Sequence, residues 1–311
     1  MIHGTDSVLP IAVLRRYEPI DEPYAPSMSS PGRYSLVRRG LLSAVVGVLA
    51  CVVVAAPVLA FTSRSTHLVA VSTAPQTSVS STATCPTGQH VLFGGFDVSQ
   101  KDRTGLATGM RRTASGAWTV DAYNLGRIEF ERLQPSPIGV SSMVYCGYGA
   151  IPLKATSTVV LRYPRRAFES ATARCPAGTV VVAGGFASTP ESTVAVTELK
   201  RLASDLWRVS AYLTILSVLD RHTVVALTSI AYCGPGPAPK LVSRTIDPVA
   251  GGTARATCPV GTKLAFGGAI VPTGPGPGYP YLQTLQAETR STWSVGGNAG
   301  GGNLTALAYC R

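Results

Sequence analysis

The chain has 311 residues, 45% hydrophobic and only 14% charged, a balance that excludes intrinsic disorder and allows a sizeable core. Its 32 glycines and 23 prolines, with many Val, Thr, Ser and Ala, favour short strands and tight turns over long helices. The net charge of +11 is scattered in ones and twos without interleaved aromatics, which argues against a nucleic-acid groove and leaves anionic membranes or acidic polymers as partners.

Residues 1–37 are polar, rich in Pro and Ser and without periodicity, and read as a disordered cytoplasmic tail. Arg38-Arg39-Gly40 then introduces Leu41–Ala60, an uncharged apolar run. A helix of about 20 such residues matches a hydrocarbon core ~30 Å thick. The flanking arginines hold the N-terminus in the cytoplasm and send the remainder across the membrane. Residues 38–61 therefore read as a transmembrane signal anchor. The competing reading is a signal peptide cut after Val58-Leu59-Ala60, giving a secreted chain that starts at Phe61. The run is longer than the usual apolar region of signal peptides, which favours the anchor.

A short Ser/Thr/Arg spacer follows, at 61–66. From there one unit is written three times, expected at 67–152, 153–238 and 239–311. Each copy carries Cys-Pro-x-Gly followed by Gly-Gly: Cys85 with Gly94-Gly95, Cys175 with Gly184-Gly185, Cys258 with Gly267-Gly268. Each continues to a tryptophan (Trp118, Trp207, Trp293) and closes on Tyr-Cys at Cys146, Cys233 and Cys310. Six of the seven cysteines thus fall into three pairs, one per copy, and Cys51 lies in the apolar run. One disulfide per repeat in an oxidising compartment follows. Zinc would need Cys-x-x-Cys or a neighbouring His, and neither is present.

Each unit reads as five or six strands. The Trp strands alternate as Trp118-Thr119-Val120, Trp207-Arg208-Val209 and Trp293-Ser294-Val295, which makes the three tryptophans core residues packed on their own disulfides. Proline after the first Cys sets a turn, the next glycine permits positive φ, and the Gly pair marks a bulge or a close backbone contact. In the third unit Gly296–Gly302 reads as a flexible loop, and Gly274–Gly278 as another. No stretch beyond residue 66 has helical periodicity.

Two basic pairs share a register ahead of the tryptophans, Arg111-Arg112 and Lys200-Arg201, where the third copy has Gln286-Ala287. They are the candidate binding residues, able to grip an acidic polymer by charge and bidentate contacts. Catalytic candidates are few. His67, His90 and His222 have no serine and acid at a recognisable spacing, and Glu129, Glu131 and Asp205 occupy non-equivalent positions. The expectation is no catalytic residue, no metal and no cofactor.

The Cys-Pro-x-Gly-x5-Gly-Gly … Trp-x-Val … Tyr-Cys pattern resembles repeats in exported proteins of high-GC actinobacteria, over the chain from about residue 67 to its end. The Cys-Pro-x-Gly opening and the threefold repetition are also distantly similar to the vitelline membrane outer layer protein, a β-prism of three Greek-key sheets. The family likeness implies export and a binding or structural role, and carries over no catalytic residue. The expected architecture is all-β, with three homologous disulfide-clamped antiparallel units after one apolar helix. They form either a pseudo-threefold, β-prism-like body or tandem small sandwiches. The expected function is a membrane-anchored, extracytoplasmic, non-catalytic binding module of the cell envelope, lectin-like if its partner is an envelope polysaccharide. The alternatives are a structural or protein-interaction element that meets another envelope protein, and a secreted hydrolase.

Overall fold

The computed structural model describes residues 61–72, 74–100, 105–129, 132–134, 136–162, 167–189, 194–214, 224–247, 252–271, 280–299 and 302–311. The tail, the apolar run with Cys51, His222, and the 274–278 glycine-proline run lie outside the described residues. No helix among the described residues is long and apolar enough to cross a membrane.

The first repeat supplies β1 (Ser63–Ser72), β2 (Thr77–Thr84), β3 (His90–Gln100), β4 (Gly105–Ala114), β5 (Ala117–Asn124), the short pair β6 (Arg127–Glu129) and β7 (Arg132–Gln134), and β8 (Ile138–Gly147). The second supplies β9 (Leu153–Arg162), β10 (Phe168–Arg174), β11 (Val180–Thr189), β12 (Val194–Ala203), β13 (Leu206–Leu213) and β14 (Val224–Gly234). The third supplies β15 (Lys240–Ile246), β16 (Thr253–Thr257), β17 (Leu264–Ile270), β18 (Tyr281–Ala287), β19 (Thr292–Asn298) and β20 (Leu304–Cys310).

These strands form three six-stranded antiparallel sheets, and no repeat owns one. The orders are β1-β8-β3-β18-β19-β16, β2-β5-β4-β11-β14-β9 and β10-β13-β12-β17-β20-β15. Every repeat gives its opener, Gly-Gly and Tyr-Cys strands to one sheet and its other three main strands to the next. Tandem sandwiches, each complete in itself, are therefore replaced by a closed ring of three shared sheets around one core. The main apolar cluster holds residues from all three repeats, and a small second one joins Leu106, Ala195 and Tyr281. The sharing is cyclic by repeat, while each sheet keeps two edge strands: β1 and β16, β2 and β9, β10 and β15.

The repeated motifs explain the closure. In Cys-Pro-x-Gly, the amides of Gln89, Thr179 and Thr262 donate to the carbonyls of Pro86, Pro176 and Pro259 at 3.1, 3.1 and 3.0 Å. Gly88, Gly178 and Gly261 sit at φ 81°, 77° and 85°, as a type II turn requires at its third residue. The chain then bulges at the residue before Phe93, Ala183 and Phe266 and enters the Gly pair. A Cβ on the first glycine would lie within about 2 Å of the indole of the same repeat's tryptophan, at Gly94, Gly184 and Gly267 alike. A Cβ on the second would meet a carbonyl of another repeat: Leu285 for Gly95, Met110 for Gly185, Leu199 for Gly268. Those contacts are the strand junctions β3–β18, β11–β4 and β17–β12.

Each disulfide joins a turn at the end of one sheet to a strand of the next, so it staples a corner. Cys85–Cys146, Cys175–Cys233 and Cys258–Cys310 close loops of 61, 58 and 52 residues. Sheets join repeats by hydrogen bonds, and sulfur joins sheets covalently.

Two expectations change. The supposed spacer is part of the body: Phe61 is buried against Phe93 and Tyr145, and β1 begins pairing at Ser63 with Cys146. Gly296 and Gly297, expected in a loop, belong to β19, where a Cβ on Gly297 would strike the Tyr281 carbonyl.

Candidate functional site

The three tryptophans are fully buried, as their alternating strands imply. Around them lie the first glycines of the Gly pairs and aromatic rings of other repeats, within one cluster that also holds the cysteines. Trp118 lies 5.7 Å from the Tyr232 ring, Trp207 6.0 Å from Phe266 and Trp293 6.3 Å from Phe93. The indole nitrogens of Trp207 and Trp293 donate to the Gly185 and Gly268 carbonyls at 3.3 and 3.0 Å.

The basic pairs split by role. Arg111 pairs with the buried carboxylate of Asp121, which stands opposite Gly109 on the adjacent β5. Lys200 pairs with Glu198 at 2.9 Å, and Arg208 shares that carboxylate at 2.7 Å. Both first members therefore carry an acid from their own hairpin. The second members turn inward across the seams. Arg112 lies 4.8 Å above the Tyr232 ring, its guanidinium donates to the Pro152 carbonyl at 2.6 Å, and its amide donates to the Tyr232 hydroxyl at 2.6 Å. Arg201 repeats this with Tyr309 at 4.8 Å, the Pro239 carbonyl at 2.5 Å and the Tyr309 hydroxyl at 2.8 Å. A guanidinium over an aromatic face is attracted by the ring quadrupole, more strongly when desolvated.

The third seam lacks that arginine and borrows one. The Ala287 amide donates to the Tyr145 hydroxyl at 2.7 Å, and Arg64 from β1 stands 5.9 Å from the ring. Its guanidinium donates to the Gln286 side chain at 3.3 Å and to the Ala287 carbonyl at 3.4 Å. Arg64 was not singled out by sequence, although one seam without its arginine asks for a cation from elsewhere. Burial pushes the phenols of Tyr145, Tyr232 and Tyr309 up to about 12.

His90 is buried, and its Nε2 has no hydrogen-bond partner among the described residues. Burial, then the charge of Arg112, lowers its pKa. His67 Nδ1 lies 3.3 Å from the Ser81 hydroxyl. Ser81 is buried, its hydroxyl donates to the His67 carbonyl at 2.6 Å, and its next neighbour is the Ser142 hydroxyl at 3.1 Å. A nucleophile needs a free path to substrate and a base for its proton; this hydroxyl is spent on the backbone. Asp205 pairs loosely with Arg174 at 3.4 Å, and the side chains of Glu129 and Glu131 lie outside the described residues.

What the body offers outward is hydroxyl. Cross-strand pairs join Thr82 to Thr119, Thr158 to Thr228 and Thr245 to Thr305, each at 2.9 Å, and Thr257 to Thr292 at 3.2 Å. Thr82, Thr158, Thr245 and Thr257 are exposed, and all three sheets carry at least one such row. No protein-family model matches the sequence, and a search of curated proteins finds no match.

Proposed function

We propose that the chain is a membrane-anchored, extracytoplasmic, non-catalytic binding module of the cell envelope, held by residues 41–60 and directed at envelope polysaccharide. The observation that carries the reading is the set of threonine rows on the exposed faces of three homologous sheets. Flat arrays of donor-acceptor hydroxyls match the hydroxyl-rich surface of a glycan, and repetition turns weak contacts into useful avidity. The internal use of Arg111, Arg112, Lys200 and Arg201 supports a neutral, hydrogen-bonding grip over a salt-dependent one. Three disulfides support an oxidising compartment.

A glycan array tests the binding half. Saturable binding that free sugar competes, and that salt barely affects, is the expected result. A blank array would discard the sugar reading in favour of a protein partner. Fractionation with N-terminal sequencing tests the anchor: intact chain in the membrane is expected, whereas a soluble chain beginning at Phe61 means cleavage.

A further inference from the structure

We infer that the disulfide end of the body is a docking surface for the headgroup region of an anionic phospholipid bilayer, with the opposite end pointing away from it. The inference rests on the anchored reading for its orientation, and on three independent observations for its chemistry.

The first is where the apolar surface lies. Among the described residues, Tyr148, Ile151, Leu153, Leu202, Leu241 and Val260 are large apolar side chains with 44% to full exposure. All six sit at the disulfide end. Tyr148 to Leu153 follow Cys146, Leu241 follows the start of β15, Leu202 adjoins the β12–β13 hairpin, and Val260 projects from the third Cys-Pro-x-Gly turn. The register brings these segments together, because Leu153 pairs with Cys233, Lys240 with Cys310, and Arg174 with Leu206 beside Cys175.

The second is charge. Lys154, Arg174, Lys240, Lys263 and Arg290 stand at this same end, with Asp205 and Glu288 as the acids. Apolar side chains interleaved with cations are the composition of a surface that rests in the interface, with the apolar groups entering the acyl boundary and the cations meeting headgroup phosphates. The third is connectivity. Phe61 enters the core here, and the Thr62 amide donates to the Cys146 carbonyl at 2.8 Å, so the chain leaving Ala60 joins the body at this end. A bilayer-spanning segment joined directly to buried Phe61 would bring these residues to headgroup depth.

The full chain, reconstituted in vesicles containing phosphatidylglycerol, tests this with single tryptophans and lipids brominated near the headgroup. The native tryptophans are fully buried and give a constant background. Val260→Trp fluorescence should be strongly quenched and Phe168→Trp at the opposite end should not, with the difference shrinking in zwitterionic vesicles. If carbonate extraction leaves the chain in the membrane while Val260→Trp is unquenched, the docking surface is wrong and the anchor stands. Quenching that needs no lipid bromine, through contact with a second copy, also overturns the proposal. If the chain is instead recovered cleaved and soluble, the anchor fails, and sedimentation with added vesicles decides the surface alone. Binding that requires anionic lipid and weakens about fivefold with each of Lys154→Gln, Lys240→Gln and Lys263→Gln supports it, and no binding overturns it.

Discussion

At the residue scale, His90 shows how one position departs from its repeats. The second copy places Val180 there, and the imidazole in the first is buried without a described partner for Nε2. Its pKa in the fold lies below the unfolded value, near 6.5, so a proton favours the unfolded chain. The stability that neutral His90 permits is complete above about pH 6.5 and is lost as pH falls below it. His90→Val should therefore flatten the acid limb of a melting-temperature profile while leaving neutral stability intact; an unchanged acid limb would show that His90 does not report on folding. The tryptophan core was legible in the sequence because Trp-x-Val alternation marks a buried face. The partner of each Gly pair was not, since a carbonyl such as that of Met110 lies in another repeat and no local pattern names it. Phe61 was missed for a related reason. It is followed by Thr62-Ser63-Arg64-Ser65-Thr66, whose outward polarity on an edge strand resembles a spacer.

At the element scale, two devices hold strands of different repeats together. The first is the seam of tyrosine and cation. With the phenols at about 12, against about 10 in the unfolded chain, stability is complete below pH 10 and falls as pH rises through 12. Phenolate absorbance should consequently appear for these residues together with unfolding rather than before it. Gradual ionisation with a retained fold would contradict their burial. The second device is sulfur. Closing 52 to 61 residues stabilises by roughly 4 kcal/mol per bridge in the chain-entropy model. The double change Cys175→Ser with Cys233→Ser should cost about that much in denaturant unfolding. A loss near zero would mean that the corner between sheets is held by packing alone. The glycines of β19 carry a further lesson about elements. Gly296 and Gly297 resemble a loop in sequence, yet a Cβ on Gly296 would crowd Thr284 and one on Gly297 would strike a carbonyl, so they are the residues a tight strand pair demands.

At the scale of the molecule, repetition was readable and its meaning was not. Spacing revealed three units, but the sharing of each sheet between two units depends on pairings such as Phe186 with Met110, which lie 76 residues apart as numbered. Closure makes the body one cooperative object: loosening any junction exposes the edges of two repeats and opens the common core. Among the described residues, the bridges and the chain entry at Phe61 lie at one end of the body. Of the hydroxyl pairs, Thr158–Thr228 lies mid-strand and Thr245–Thr305 at the end of β15 away from Cys310, whereas Thr257–Thr292 lies beside Cys258 at the end proposed to rest on lipid.

Calorimetry of the oxidised body tests closure most directly, comparing the native protein with Gly185→Ala. That substitution drives a methyl into the Met110 carbonyl at a single junction, at a cost of about 1–3 kcal/mol or more. A single transition with equal calorimetric and van't Hoff enthalpies is expected, shifted as a whole to lower temperature by the variant. Two or three separable transitions, with only part of the heat displaced by Gly185→Ala, would contradict the closed ring.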